Sequence, residues 1–344
     1  MRKPPSFWRD QKPSPAAFVL MPVAAVYGWV SGWRMNRPPL ARAALPTICV
    51  GNFVLGGAGK TPTALALARI ARARGLRVGF LTRGYGGGEK GPLLVDLETH
   101  RADRVGDEAL LLAAVAPTVV AESRPAGANR LLEEEVDLII MDDGFQNSAL
   151  AKDLSFIAVD AGVGIGNGLV FPAGPLRVPL RTQIQHTDAL VVIGEGHAAD
   201  SVVRVAARAG RAILRGRLRP ARIKEWRKTP ILAFAGIGRP EKFFASLAEI
   251  EAPVAKTVAF PDHHRFTEAD AERLLQEAEA GKLRLVTTEK DLARLAGAGG
   301  AAGRLHDKAD AFAVTLEFEN LVAVTEMIAD VSRAMQAREP LASR

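Results

Sequence analysis

Pro46-Thr-Ile-Cys-Val50 followed by Gly51-Asn-Phe-Val-Leu-Gly-Gly-Ala-Gly-Lys60-Thr61 is the stretch on which the fold turns. The first five residues are a short apolar run, as in a strand buried inside a parallel sheet. Residues 62–74 are rich in Ala, Leu and Arg and read as a helix, with Pro62 tolerated in its first turn. Strand, glycine loop, Lys-Thr and helix together make the setting of a phosphate-binding loop, or P-loop. Gly56, Gly57 and Gly59 let backbone N–H groups close around phosphate oxygens, in a cradle running from Val54 through Leu55 and Ala58 to Lys60 and Thr61. The helix N-terminus adds its positive dipole, Lys60 reaches the outer phosphates, and the Thr61 hydroxyl can ligate Mg²⁺. Val54 stands where the usual pattern has one more glycine. The bland alternative is a strand-to-helix turn whose glycines only permit close packing.

Other apolar runs end in polar residues that suit the same chemistry. Arg77–Thr82 reads as a strand and leads into Arg83-Gly-Tyr-Gly-Gly-Gly88. Ligands of open parallel sheets bind beyond the carboxyl ends of the strands, so Arg83 is placed either to meet an anion or in a solvated loop. Val136–Met141 is a further buried-strand run, followed by Asp142-Asp143-Gly-Phe-Gln146. An acid at the end of such a strand, downstream of a P-loop, is the Walker B arrangement that holds or orients Mg²⁺; two acids in an ordinary turn are the alternative. Asp107, before Glu-Ala-Leu-Leu-Leu, reads as a helix N-cap or as a carboxylate near the phosphates that takes a proton. Far downstream, Thr267 and Asp270 have capping-box spacing, so a helix begins near Thr267 and leaves Asp262-His263-His264-Arg265 in the loop before it. Such a cluster in a loop suggests a site, and its spacing is not that of a zinc site. Val286-Thr-Thr-Glu-Lys-Asp291 is another strand end, where Thr288 and Asp291 repeat the capping spacing and Lys290 is a further candidate.

With 344 residues, the chain is long enough for about two domains. Its single cysteine excludes an intrachain disulfide and a multi-cysteine metal cage. Hydrophobic residues at 48% and charged residues at 24% exclude wholesale disorder. The net charge of +7 is concentrated, because residues 1–42 hold seven basic groups and one acid. A nucleic-acid binder more often spreads its basic surface over the folded domain, so no nucleic-acid partner is expected. Residues 13–33 carry no charge, are flanked by basic residues, and lie in a region holding Trp8, Trp29 and Trp33. Aromatic and basic residues beside an apolar stretch suit a bilayer interface. Pro22 and the shortness of the run weigh against a span, and helices lying in the interface tolerate both. A helix packed on the protein's own core is the alternative.

The ordered set of blocks resembles the tetraacyldisaccharide 4′-kinase (lipid A 4′-kinase) family of Gram-negative bacteria. The resemblance rests on the basic apolar N-terminus, Gly51-Asn52, Gly56-Gly-Ala-Gly-Lys-Thr-Pro62, Arg83-Gly-Tyr-Gly-Gly87, Gly106-Asp-Glu108, Asp142-Asp-Gly-Phe-Gln146, Phe171-Pro-Ala-Gly-Pro-Leu-Arg177, Asp262-His263 and Thr287-Thr-Glu-Lys-Asp291. The family's own P-loop lacks the early glycine, which accounts for Val54. The resemblance implies transfer of the ATP γ-phosphoryl group to the 4′-hydroxyl of a tetraacylated glucosamine disaccharide 1-phosphate. It implies Asp107 as the base, assisted by His263 or, as alternate, His264. It further implies Lys60 and Thr61 as ATP and Mg²⁺ contacts, Asp142 and Asp143 as metal acids, and Asn52, Arg83 and Gln146 on the substrate side. Many relatives have an acid after Arg177, where this chain has Val178. The implied setting is the cytoplasmic face of the inner membrane, reached peripherally, with an anionic membrane surface as partner.

The expected fold is α/β: a mostly parallel P-loop sheet flanked by helices, a smaller second α/β domain, and an N-terminal membrane-surface helix. The expected division is 1–44 for the membrane-associating segment of the first domain, 45–220 for the P-loop domain, and 221–335 for the smaller one. The rival function is a membrane-associated P-loop ATPase acting as a switch or partition protein. Many of those carry a lysine where Leu55 stands here.

Overall fold

The computed structural model describes residues 5–10, 12–221 and 223–336. Arg2 and Lys3, part of the basic N-terminal cluster, lie outside the described residues. Nine strands form one sheet: β1 (Thr47–Gly51), β2 (Val78–Thr82), β3 (Leu93–Leu94), β4 (Thr118–Val120), β5 (Leu138–Asp142), β6 (Leu154–Asp160), β7 (Ala189–Ile193), β8 (Ala212–Pro220) and, far later in the chain, β13 (Val314–Phe318). Their spatial order is β13-β8-β7-β6-β1-β5-β2-β4-β3. Among these strands, β3 with β4 and β13 with β8 run antiparallel, and the other neighbours run parallel. A four-stranded parallel sheet contains β9 (Ile231–Ala235), β10 (Val254–Ala259), β11 (Arg284–Thr288) and β12 (Ala309–Phe312), in the order β10-β9-β11-β12.

The central strands read as unbroken apolar runs because both of their faces are covered. Side chains alternate across the sheet, so Cys49, Ile139, Met141 and Ile157 enter one core while Ile48, Val50, Leu138 and Phe156 enter the other. β1 lies between β5 and β6, with Val50 paired to Asp142 and Gly51 to Ile157. This register brings the loop after β1 and the acids Asp142 and Asp143, at the end of β5, to the same rim.

One sequence expectation is corrected. The chain from Val314 onward does not stay with the smaller sheet: β13 pairs with β8, and Val324, Ile328 and Val331 of the helix Leu321–Gln336 pack in the core of the large sheet. The exposed outer edge of β8 needs a partner for its backbone groups, and β13 supplies it. The apolar N-terminal segment is one continuous helix, Pro15–Met35, with Pro22 inside and Ser14 as N-cap. It is long and apolar enough to cross a membrane by length and composition. Its small residues Ala17, Ala24, Gly28 and Gly32 face the protein, and a Cβ on Gly28 would sit 3.4 Å from Pro179. Its large ones face outward: Trp29 is 74% exposed, Phe18 59% and Trp33 53%. This inverts the usual surface-helix pattern.

Candidate active site

The loop after β1 folds as its glycines demand. Gly59 is the N-cap of the helix Lys60–Ala73 with φ +85°, and a Cβ there would lie 2.6 Å from Ile193 Cδ1. Both its conformation and its surroundings therefore require glycine. Segment 175–177 straps the loop from outside: Leu55 N donates to the Pro175 carbonyl at 2.8 Å, and Arg177 Nε to the Val54 carbonyl at 3.0 Å. From within, Asn52 Nδ2 donates to the Gly56 carbonyl at 2.7 Å, and Gln146 Nε2 to the Asn52 carbonyl at 2.7 Å. Asn52 and Gln146 thus shape the loop by bonding its backbone.

Lys60, Thr61, Asp142 and Asp143 meet at the mouth of this loop. Lys60 Nζ lies 3.5 Å from the Gly56 carbonyl and 3.7 Å from Asp143 Oδ2. The Thr61 hydroxyl donates to Asp142 Oδ2 at 3.3 Å. Arg177 Nη1 holds Asp143 Oδ1 at 3.0 Å. Lys60 and Arg177 outweigh the desolvation of Asp143 and keep its carboxyl below the ordinary range. Asp142 behaves oppositely: burial, then the nearby Glu108 charge, pushes its pKa up to about 7. Its Oδ1 is buried without a hydrogen-bond partner. A carboxylate oxygen left in that state beside a threonine hydroxyl and a second acid suits a hard divalent cation. Among the described residues no group of three His, Cys, Asp or Glu side chains is arranged to hold a metal alone. The remaining ligands would come from phosphate and water, as Mg²⁺ prefers.

A second constellation forms where the helix after β3, on the large sheet's side, meets loops and a helix of the smaller sheet. The helix Asp107–Ala113 has Gly106 as N-cap, so Asp107 is its first residue and not the cap expected from sequence. Gly106 has φ +88° and a Cβ there would lie 2.5 Å from the Tyr85 carbonyl, so glycine lets the loop after Arg83 close against this helix start. Asp107 is 4% exposed. Its Oδ2 receives Arg294 Nε at 2.7 Å and lies 3.7 Å from His263 Nδ1. Desolvation opposes its charge, but the neighbouring His263 and the charges of Arg294 and Lys290 win, holding its pKa far below the ordinary carboxylate range. His263 has φ +57°, unusual for a non-glycine residue, and its ring lies 5.3 Å from that of Tyr85. His264 turns away: its Nε2 lies 2.9 Å from Asp270 Oδ2 and its ring stacks on Phe260. Of the two histidines, His263 is the one beside Asp107.

Arg83 is exposed at the rim after β2. Lys290 Nζ donates to Glu108 Oε1 at 2.6 Å. A third bridge joins the sheets where Arg239 and Lys242 both reach Asp160, at the end of β6. Arg294, Asp160, Arg239 and Lys242 were missed by sequence reading, because nothing in their neighbourhoods signals a partner so far along the chain. Val178 is buried, and its carbonyl accepts from Gln183 Nε2 at 2.7 Å.

A parallel sheet with a glycine cradle, a Lys-Thr pair and two strand-end acids defines a P-loop phosphate-binding α/β protein. The chain belongs to the tetraacyldisaccharide 4′-kinase family: the family model LpxK, tetraacyldisaccharide-1-P 4′-kinase, matches residues 16–333. It is 50% identical over 318 residues to the tetraacyldisaccharide 4′-kinase of Rhodopseudomonas palustris, covering 92% of this chain and 93% of that one. It is 53% identical over 297 residues to that of a Methylobacterium species, covering 86% and 89%. The crystal structure of LpxK from Aquifex aeolicus in complex with ATP superposes with a TM-score of 0.73 at 25% identity, covering 92% of this chain and 99% of that one.

Proposed function

We propose that the cleft transfers the γ-phosphoryl group of ATP to the 4′-hydroxyl of a tetraacylated glucosamine disaccharide 1-phosphate, the reaction for which the family is named. Kinase activity with an alcohol acceptor follows from family membership. The observation that carries the mechanism is the meeting of Asp107 and His263, next to Glu108, whose charge acts on Asp142. Backbone N–H groups of residues 54–61 and Lys60 hold the phosphates. Thr61, Asp142 and Asp143 would hold Mg²⁺, and the ion would supply positive charge to the transferring group. Asp107 accepts the hydroxyl proton, and His263 orients and assists it. Asn52 and Gln146 act by shaping the loop, and Arg83 is the rim cation available to an anionic acceptor.

The outward face of helix Pro15–Met35 supports a peripheral site of action on an anionic membrane, at the cytoplasmic face of the inner membrane. Large apolar side chains left in contact with water call for a cover, and tryptophan favours the bilayer interface. An acylated sugar resides in that same layer. The test is radiolabelled ATP offered with and without the acylated disaccharide phosphate, followed by product separation. Label in the lipid product is expected. ATP hydrolysis that ignores the lipid would instead support the switch-type ATPase.

A further inference from the structure

The first turn of helix Glu289–Leu295 is tied firmly to the smaller sheet. Thr288, at the end of β11, accepts from Asp291 N at 3.2 Å and donates to Asp291 Oδ2 at 2.7 Å. Asp291 is fully buried and also receives Gly236 N at 3.1 Å. Lys290 rises from this anchored turn and crosses to the large sheet's side, where its ammonium meets Glu108 at 2.6 Å. Asp107 and Asp142 are also close enough to favour its charge. Asp142 in turn accepts from Thr61, at the mouth of the phosphate loop. Lys290 therefore comes from the smaller sheet to lie beside the helix start that carries the base, whereas Lys60 belongs to the loop, beside Gly56 and Asp143.

A transferring phosphoryl group spreads charge over three equatorial oxygens, and a cation on one side leaves part of that charge unanswered. The carboxylate of Glu108 does not exhaust Lys290. An ammonium has three donors on a flexible stem, and one is used here. Arg294, on the same helix, is the contrasting case: its fork is committed to Asp107, Asp291 and the Gly236 carbonyl.

Resting on the kinase reading above, we propose that Lys290 is a second catalytic cation, carried by the smaller sheet, that keeps Glu108 with one N–H and offers another to an oxygen of the transferred phosphoryl group. In the step, the bond from the γ-phosphorus to the β,γ-bridging oxygen breaks and a bond to the 4′-oxygen forms. The hydroxyl proton passes to Asp107, and Lys290 neither gains nor loses one.

The test uses the full chain with Lys290→Met, Lys290→Arg and Lys290→Met/Glu108→Gln, assayed with ATP and the acylated disaccharide. MgADP binding serves as the measure of an intact loop. Lys290→Met is expected to lower kcat at least ~30-fold, within the range lost on removing one transition-state donor. Its KM for ATP and its MgADP affinity should stay within about threefold of wild type, and Lys290→Arg should recover part of the rate. A kcat within about threefold of wild type overturns the proposal. So does a parallel loss of MgADP affinity, which would make Lys290 a structural tie. Full recovery in the double variant would reduce it to a counter-ion for Glu108. Transfer by wild type with an unaffected Lys290→Met sinks this proposal alone; no transfer by wild type sinks the kinase reading with it.

Discussion

Arg294 Nε lies 2.7 Å from Asp107 Oδ2, a contact between side chains 187 positions apart in the chain. It joins the helix that follows β11 to the helix that carries the candidate base. Both side chains are nearly inaccessible to solvent. The pair therefore couples the seating of the smaller sheet to the charge of Asp107.

Arg294→Met should leave a buried carboxylate without its main cation, at a cost of about 3–5 kcal/mol. Asp107 has a folded pKa below its ordinary 3.8, so its contribution is complete above about pH 4 and is lost as pH falls through the lowered value. Denaturant titrations from pH 7 down to pH 2 should show wild type losing stability in that acid window. The variant should start lower and fall less steeply. Parallel curves would contradict the assigned pairing.

Asp107→Ala should lower kcat on the order of 10²-fold or more with the protein still folded. Gly106, not Asp107, supplies the cap position, so the helix keeps its start. Lys60→Ala should remove turnover altogether. Circular dichroism and rate per folded molecule separate the outcomes. Near-normal rates in Lys60→Ala would remove the phosphate-loop assignment.

Asp142 carries a pKa raised to about 7, against an unfolded value of 3.8. Its neutral form favours the fold, so stability without metal is complete below about pH 4 and declines as pH rises through about 7. A divalent cation must displace that proton. Mg²⁺ binding should therefore tighten about tenfold per pH unit below pH 7 and level off above it. Calorimetry of MgATP binding between pH 5.5 and 8.5 checks this. Asp142→Asn should weaken binding and flatten the profile, and a pH-independent wild type would count against Asp142 as the ligand.

Trp29→Ser and Trp33→Ser should weaken attachment to anionic vesicles, since both rings lie on the outward face of the Pro15–Met35 helix. Sedimentation with vesicles should show less bound protein, and ATP binding should not change, because neither ring touches the phosphate loop. Equal sedimentation of variants and wild type would argue that this face packs against protein instead.

The P-loop stretch, the strand ends and the capping box at Thr267 were legible in the chain because each depends on near neighbours. A buried parallel strand must be apolar throughout, a left-handed turn must be glycine, and a helix start needs an acceptor within three residues. The strand-end pattern joins Asp142 and Asp143 to Lys60 from sequence alone, since it implies a common rim. Asp107 misled in detail: an acid before an apolar helix reads as a cap, and only the backbone shows Gly106 in that role.

Contacts across the chain were another matter. The choice of His263 over His264, the grip of Arg294 on Asp107 and the reach of Lys290 to Glu108 depend on how one sheet sits above the other. So does the return of β13 to β8, which moves residues after 313 out of the expected smaller domain. Local rules of turn, strand and cap act over a few residues, so they can be read from the residues themselves. Pairings between distant side chains are set by packing, hydrogen-bond satisfaction and charge in the assembled interior, and no short stretch of sequence contains them.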